Sequence, residues 1–200
     1  MSVLLHTCCA PCLVYPAKVL EEKNIEFSCY FYNPNIHPYR EFKKRLDTFR
    51  LLANERKYDY IIDRDYGLKT FLRAVVFKED LRCRHCYRMR LEQTVKLAVE
   101  NDHDHFSTTL LYSVYQNHSL IIKQAETVSS ASSVDFMYRD FRPGWQQGID
   151  ESIQCNLYRQ SYCGCIYSEQ ERYDNRLKKQ LTRKRKNDVQ SDRSRHNKPE

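Results

Sequence analysis

The sequence predicts an α/β fold: a mainly parallel sheet flanked by helices, with a cysteine-rich metal site at the carboxyl ends of the strands. Three observations predict it. Strand-like and helix-like segments alternate up to about residue 138, the pattern of parallel sheets built from crossover helices. The strand candidates are short apolar or β-branched and aromatic runs bounded by turn residues. The segments richest in reactive or polar side chains fall just after strand candidates, where open parallel sheets gather their sites.

Each element has its local reason. Ser2–Thr7, with Val3, Leu4 and Leu5 in sequence, reads as a buried strand. Val14–Lys23 suits a helix, with Pro16 tolerable in its first turn. Ile25–Tyr32 reads as strand two, and the two prolines and two asparagines of Asn33–Pro38 make a loop. Tyr39–Lys57 spaces Phe42, Leu46, Phe49 and Ala53 at three or four, a helical stripe. Tyr58–Asp63 is strand three, and Leu68–Phe77 and Arg84–Asn101 are helices. Phe106–Leu111 is strand four, Ser119–Ser130 a helix, Val134–Tyr138 strand five, and Ser168–Leu181 a last helix. Phe31, Phe71 and Phe77 read as core residues. The expected organisation is one α/β domain over residues 1–182 and a basic tail over 183–200.

Composition narrows the function classes. Four glycines in 200 residues, about 2% against a usual frequency near 7%, exclude G-x-G-x-x-G and P-loop phosphate cradles. No apolar run approaches the roughly 18 residues of a membrane span. The first residues lack a basic n-region and run straight into cysteines, so the chain reads as a cytoplasmic protein with no signal peptide. The net charge of +7 is carried entirely by residues 176–200. From about Arg183 the chain is expected to be disordered and suited to phosphate contacts, or simply to be an extension.

Nine cysteines, an odd number without a secretory signal, argue against a disulfide framework. Seven fall in three groups: Cys8, Cys9 and Cys12; Cys83 and Cys86; Cys163 and Cys165. Soft thiolates at such spacings select iron–sulfur clusters, zinc or Cu(I). Four fill a zinc tetrahedron or ligate a 4Fe–4S cluster, so seven point to a second metal or a redox pair. The three groups are expected to converge. Adjacent side chains ordinarily point apart, which sets Cys8-Cys9 against a simple zinc knuckle. Cys29 and Cys155, each alone, read as packing residues. His6 reads as a hydrogen-bonded strand residue, and His37 as either a loop-fixing or a substrate-contacting group.

Six motifs then carry a resemblance. Leu5-His6-Thr7-Cys8-Cys9-Ala10-Pro11-Cys12, Tyr32-Asn33-Pro34-Asn35-Ile36-His37-Pro38 and Cys83-Arg84-His85-Cys86-Tyr87-Arg88-Met89-Arg90-Leu91 are followed by Phe106–Leu111, Asp140–Trp145 and Tyr162–Ser168. In this order, over roughly residues 3–175, they resemble the epoxyqueuosine reductase QueH family. The resemblance implies a cytoplasmic oxidoreductase that reduces epoxyqueuosine to queuosine at the wobble position of tRNA, the last step of queuosine biosynthesis. It implies a 4Fe–4S cluster, an additional iron ion, no cobalamin and an external low-potential electron donor such as ferredoxin or flavodoxin. It also implies a fold similar to nucleotide α-hydrolase and PP-loop domains, although Cys8–Cys12 stands where S-G-G-x-D-S would be.

Cys8, Cys9, Cys83 and Cys86 are the candidate cofactor ligands within the seven-cysteine metal-binding set. The division of thiolates between cluster, second iron and a disulfide stays open. Asn33, Asn35, His37, Gln116 and Arg142 are candidate substrate contacts, and Asp140 and Tyr115 candidate proton donors. Glu169 is a further candidate donor. Ser113-Val114-Tyr115-Gln116 departs from the family's usual Ser-Pro-Tyr-Gln. The alternatives are an iron–sulfur tRNA thiolation enzyme and a zinc-containing tRNA-binding protein.

Overall fold

A computed structural model describes residues 1–176 and Lys179. The chain forms two compact units, Met1–Arg159 and Gln160–Glu200. The proposed tail over residues 183–200 lies outside the described residues.

The first unit is built on a five-stranded, all-parallel sheet. Its strands are β1 (Ser2–His6), β2 (Glu26–Phe31), β3 (Tyr60–Ile62), β4 (His105–Thr108) and β5 (Asp135–Phe136), in the order β3-β2-β1-β4-β5. β1 is central, and Val3, Leu4, Leu5 and His6 are all fully buried. Burial on both faces is why this strand reads as an unbroken apolar run instead of an alternating one. Register pairs His6 with Tyr30 on one side and with Thr108 on the other.

Helices α1 (Ala10–Glu22), α2 (Tyr39–Arg56), α3 (Leu68–Val75), α4 (Arg82–Glu100), α5 (His118–Ser129) and α6 (Trp145–Gln154) complete the unit. A core of Leu5, Leu13, Ala17, Leu20, Cys29, Phe31, Phe42, Phe49 and Leu52 joins β1, β2, α1 and α2. Cys29 is completely buried there, as its solitary position predicts. Burying such side chains stabilises the fold by roughly 1.5–3 kcal/mol each.

The structure differs from the sequence reading at five places. α1 begins at Ala10 and not at Val14, so Pro11 takes the first-turn position that suits a proline and Pro16 lies inside the helix. Strand four stops at Thr108, and Thr109–Tyr112 is a 3₁₀ turn capped by the Thr108 hydroxyl, which accepts from the Leu110 N–H (3.1 Å). α6 is an additional helix; Gly148 in its middle weakens its local signal. That glycine is there because a Cβ would collide with the Tyr112 hydroxyl. Phe77 is not core: it is 94% exposed, with a left-handed backbone (φ 62°), on the connection between α3 and α4. In the second unit α7 spans Ile166–Tyr173, starting two residues before the expected Ser168, with an extended backbone at Asp174; Asn175, Arg176 and Lys179 are helical, and the expected end at Leu181 lies outside the described residues.

Candidate metal and substrate site

β1 ends at His6, and two extended residues later the chain turns into α1. Cys9 is the N-cap of that helix (φ −172°, ψ 163°) and Cys12 lies in its first turn. This strand-to-helix corner overrides the expectation that neighbouring side chains point apart. The Cys8 and Cys9 sulfurs are 3.8 Å apart, and all three Sγ atoms of Cys8, Cys9 and Cys12 lie within 4.8 Å of one another, buried. All nine cysteines are thiols.

The triad is electrostatically uneven. Hydrogen bonds from Cys12 and Cys9 hold the Cys8 thiol well below its ordinary range against the opposing effect of burial, helped by the Arg90 guanidinium and the Thr109 hydroxyl. Burial pushes Cys9 up, and bonding to Cys8 and Cys9 together with burial pushes Cys12 up. Of the three, Cys8 is the one whose surroundings favour the thiolate form. Thr109 secures it twice, accepting from the Cys8 N–H (3.1 Å) and donating to Cys8 Sγ (3.4 Å). The positive end of α1 adds to the preference for an anion here.

Beneath the triad, His6 donates from Nε2 to the Tyr32 carbonyl (3.1 Å), so its Nδ1 accepts from the Thr108 hydroxyl (2.8 Å). Burial, reinforced by Arg90, lowers its pKa to about 3. His6 is a neutral, structural group, as the sequence suggested.

α4 begins at Arg82, so Cys83 and Cys86 occupy its first turns, the former exposed and the latter buried. With Arg90 they follow i, i+3, i+7 spacing and share one helix face. α4 packs on β1 and β4, and the charge of Arg90 reaches Cys8 and His6. In the second unit, Cys163 is exposed. Cys165 is the buried N-cap of α7, its sulfur accepting from the Ser168 N–H (3.4 Å).

The loop after β2 holds Asn33, Asn35 and His37, all nearly inaccessible. Asn33 donates to the Thr7 carbonyl (3.0 Å), but its Oδ1 has no partner among the described residues, and neither has either amide atom of Asn35. The His37 ring lies 5.4 Å from both Tyr66 and Phe71, and burial lowers its pKa to about 4. Gly67 (φ 60°) lets the chain pass so close to Pro34 that no Cβ fits between them.

Beyond β4, Gln116 accepts from the Tyr87 hydroxyl (2.6 Å). Tyr115 is 85% exposed, with no place in the core. It ends an aromatic row that the sequence reading missed: Tyr15 stacks on Tyr112 (6.2 Å), Tyr112 on Trp145 (4.9 Å), and Tyr115 meets Trp145 edge-on (5.5 Å). Tyr112 fixes the row by donating to the Trp145 carbonyl (2.8 Å). Asp140 accepts from Arg142 Nε (2.8 Å), Nη2 (2.6 Å) and backbone N–H (3.0 Å). This guanidinium holds its carboxyl down at about 2, so Asp140 is ionised at neutral pH and orients Arg142. Glu169 lies in the first turn of α7. Cys155 sits at the end of α6, with Arg56 Nη2 donating to its sulfur (3.8 Å).

A parallel α/β sheet with a buried cysteine triad at the carboxyl end of its central strand defines a class of α/β protein with a candidate thiol-rich metal site. The particular family follows from comparison. The family described as "Epoxyqueuosine reductase QueH" matches residues 3–171. Two relatives named epoxyqueuosine reductase QueH are similar to the chain over most of their length. The one from Dehalococcoides mccartyi is 38% identical over 172 residues (86% of this chain, 94% of the relative). The one from Thermotoga maritima is 34% identical over 197 residues (92% and 97%). The chain belongs to this family. Its fold is similar to that of a solved U34-tRNA thiolase, NcsA, from Methanococcus maripaludis with its [4Fe-4S] cluster: TM-score 0.54, 15% identity, covering 84% of this chain and 61% of that one.

Proposed function

We propose that the chain reduces epoxyqueuosine to queuosine at the wobble nucleoside of tRNA. The observation that carries this reading is the buried Cys8-Cys9-Cys12 triad at the end of β1, in a chain of this family. The reaction takes two electrons and two protons and releases the epoxide oxygen as water. The donor set fits a thiolate-held iron–sulfur centre: three soft sulfurs, buried and close together, with the charge of a buried guanidinium reaching Cys8. A 4Fe–4S cluster, when bound, supplies electrons singly. Cys8, Cys9, Cys83 and Cys86 are its proposed ligands, and Cys12, Cys163 and Cys165 complete the metal-binding set. Seven cysteines in three sequence groups support an additional iron, and the proposed chemistry needs no cobalamin.

The protein's own groups bind and orient the substrate. The Oδ1 of Asn33 and the amide of Asn35, without partners among the described residues, offer hydrogen bonds to the modified base. The aromatic row ending at Tyr115 offers stacking surface to a nucleobase. Asp140 aims Arg142, a phosphate-binding side chain, and Gln116 sits between Tyr87 and the aromatic row. Since Asp140 is ionised, Tyr115, whose phenol offers an O–H, and Glu169 remain as the candidate proton donors. Electrons come from a low-potential donor such as ferredoxin or flavodoxin. The basic segment beyond residue 182 adds salt-dependent affinity for tRNA. No helix among the described residues is long and apolar enough to cross a membrane, and the proposed location is the cytoplasm.

The test is anaerobic purification with iron and sulfide quantitation, then nucleoside analysis of epoxyqueuosine-containing tRNA incubated with the protein and a reductant. Brown protein that converts epoxyqueuosine to queuosine is expected. Colourless, zinc-containing protein that leaves the nucleoside unchanged would overturn the reading.

A further inference from the structure

Two arginines are among the largest fully buried side chains of this protein, and they differ in one respect. Arg45 on α2 is neutralised: its Nε donates to Glu41 Oε1 (2.6 Å), and the other carboxylate oxygen accepts from Tyr158 (2.6 Å). Arg90 on α4 is 1% exposed, its Nε and Nη2 find no hydrogen-bond partner, and no carboxylate pairs with it among the described residues. A guanidinium cannot shed its charge, and removing it from water uncompensated is among the most costly arrangements in a protein interior. A fold that retains one there has an anion to meet it.

The surroundings identify that anion. Arg90 lies on the α4 face that carries Cys83 and Cys86, and its charge acts on Cys8, His6 and Tyr32. His6 cannot share the role, because its two ring nitrogens are committed to the Tyr32 carbonyl and the Thr108 hydroxyl. The negative charge facing Arg90 is therefore that of the thiolates and of whatever they hold. A thiolate-ligated iron–sulfur centre is anionic and gains one further negative charge with each electron, and net charge and nearby hydrogen bonds set its potential.

We propose that Arg90 is the buried counter-charge of the thiolate-held centre and raises its reduction potential. The proposal rests on the iron–sulfur reading above. A cation beside the centre favours the reduced form over the oxidised one, which brings the centre within reach of a biological donor. Arg90 is thus a positioning and tuning residue: it acts through the centre and not on the substrate.

The experiment is a dithionite titration of the holoprotein followed by electron paramagnetic resonance, with iron and sulfide counted in parallel, for wild type, Arg90→Gln and Arg90→Lys. At a fixed ambient potential, the reduced-to-oxidised ratio in Arg90→Gln is expected to fall at least tenfold, equivalent to about 59 mV for one electron. Arg90→Lys, which keeps the charge, is expected to recover most of that ratio. If Arg90→Gln loses iron and sulfide while Arg90→Lys keeps them, the charge requirement is upheld. Equal potentials in wild type and Arg90→Gln, or equal losses in Gln and Lys variants, would overturn the proposal. Wild-type protein without iron and sulfide would overturn the iron–sulfur reading itself, which separates the two failures.

Discussion

The carboxyl end of β1 is flanked by two regions of opposite character. On the β4 side the hydroxyls of Ser107, Thr108 and Thr109 all find partners within the chain. Thr108 links His6 to the Leu110 N–H, and Thr109 holds both the backbone and the sulfur of Cys8. On the β2 side, a loop buried just as deeply leaves Asn33 Oδ1 and both amide atoms of Asn35 without partners among the described residues. Buried polar groups in folded proteins are nearly always satisfied, and each exception calls for an explanation. The contrast separates two tasks. The β4 side is scaffold, which fixes the thiolate by bonds internal to the protein. The β2 side leaves hydrogen-bonding capacity unused among the described residues, which is the basis for proposing that it contacts the modified base of a tRNA.

The comparison breaks most completely if the thiolate is removed. Cys8→Ser should lose iron and sulfide and lower epoxyqueuosine reduction by more than about a hundredfold; retention of the full metal complement would mean that Cys8 is no ligand. Removal of Cys83 and Cys86 together should have the same consequence.

Acid probes the β2 side. Burial takes His37 from 6.5 to about 4, so between those values the unfolded chain binds a proton that the folded chain does not. Stability is therefore complete above about pH 6.5 and falls as pH drops toward 4, by up to about 1.4 kcal/mol per unit. His6, lowered to about 3, contributes with the same sign. The difference between wild type and His37→Phe in urea midpoints across this range isolates the His37 share, and parallel curves would show that His37 is not held neutral.

A smaller effect distinguishes the sides directly. Thr109→Val removes both bonds to Cys8 and leaves a buried N–H unpaired, costing about 1–3 kcal/mol. Asn35→Leu removes amide atoms that make no bond, so thermal stability should hold or rise, while the KM for tRNA rises about tenfold. Destabilisation of Asn35→Leu by as much as Thr109→Val would erase the distinction drawn above. Asp140→Asn is the mildest change: its pair with Arg142 is partly exposed, so stability should shift by less than about 1 kcal/mol. A severalfold loss of tRNA affinity is the expected signature of a loosened Arg142.

The sequence by itself determined the alternation of strands and helices, the cysteine groups and the loop at Asn33–Pro38. These are local properties. A strand buried on both faces must be apolar throughout, and the turn residues after it mark the carboxyl end where a site forms. Cys29 was legible as packing for the same reason. Tertiary structure alone decided what meets what. Strand order places β1 between β2 and β4, so Thr108 and Thr109 reach His6 and Cys8 from about a hundred residues away, a pairing that no local pattern encodes. The corner at Cys9 turns two adjacent thiols to one side, against the usual alternation of neighbours. Phe77 was misplaced because apolarity does not report which side of a connection faces water. Arg90 went unnoticed because an arginine on a helix is ordinarily solvated; only the packing of α4 on the sheet buries it and leaves its charge beside the thiolate.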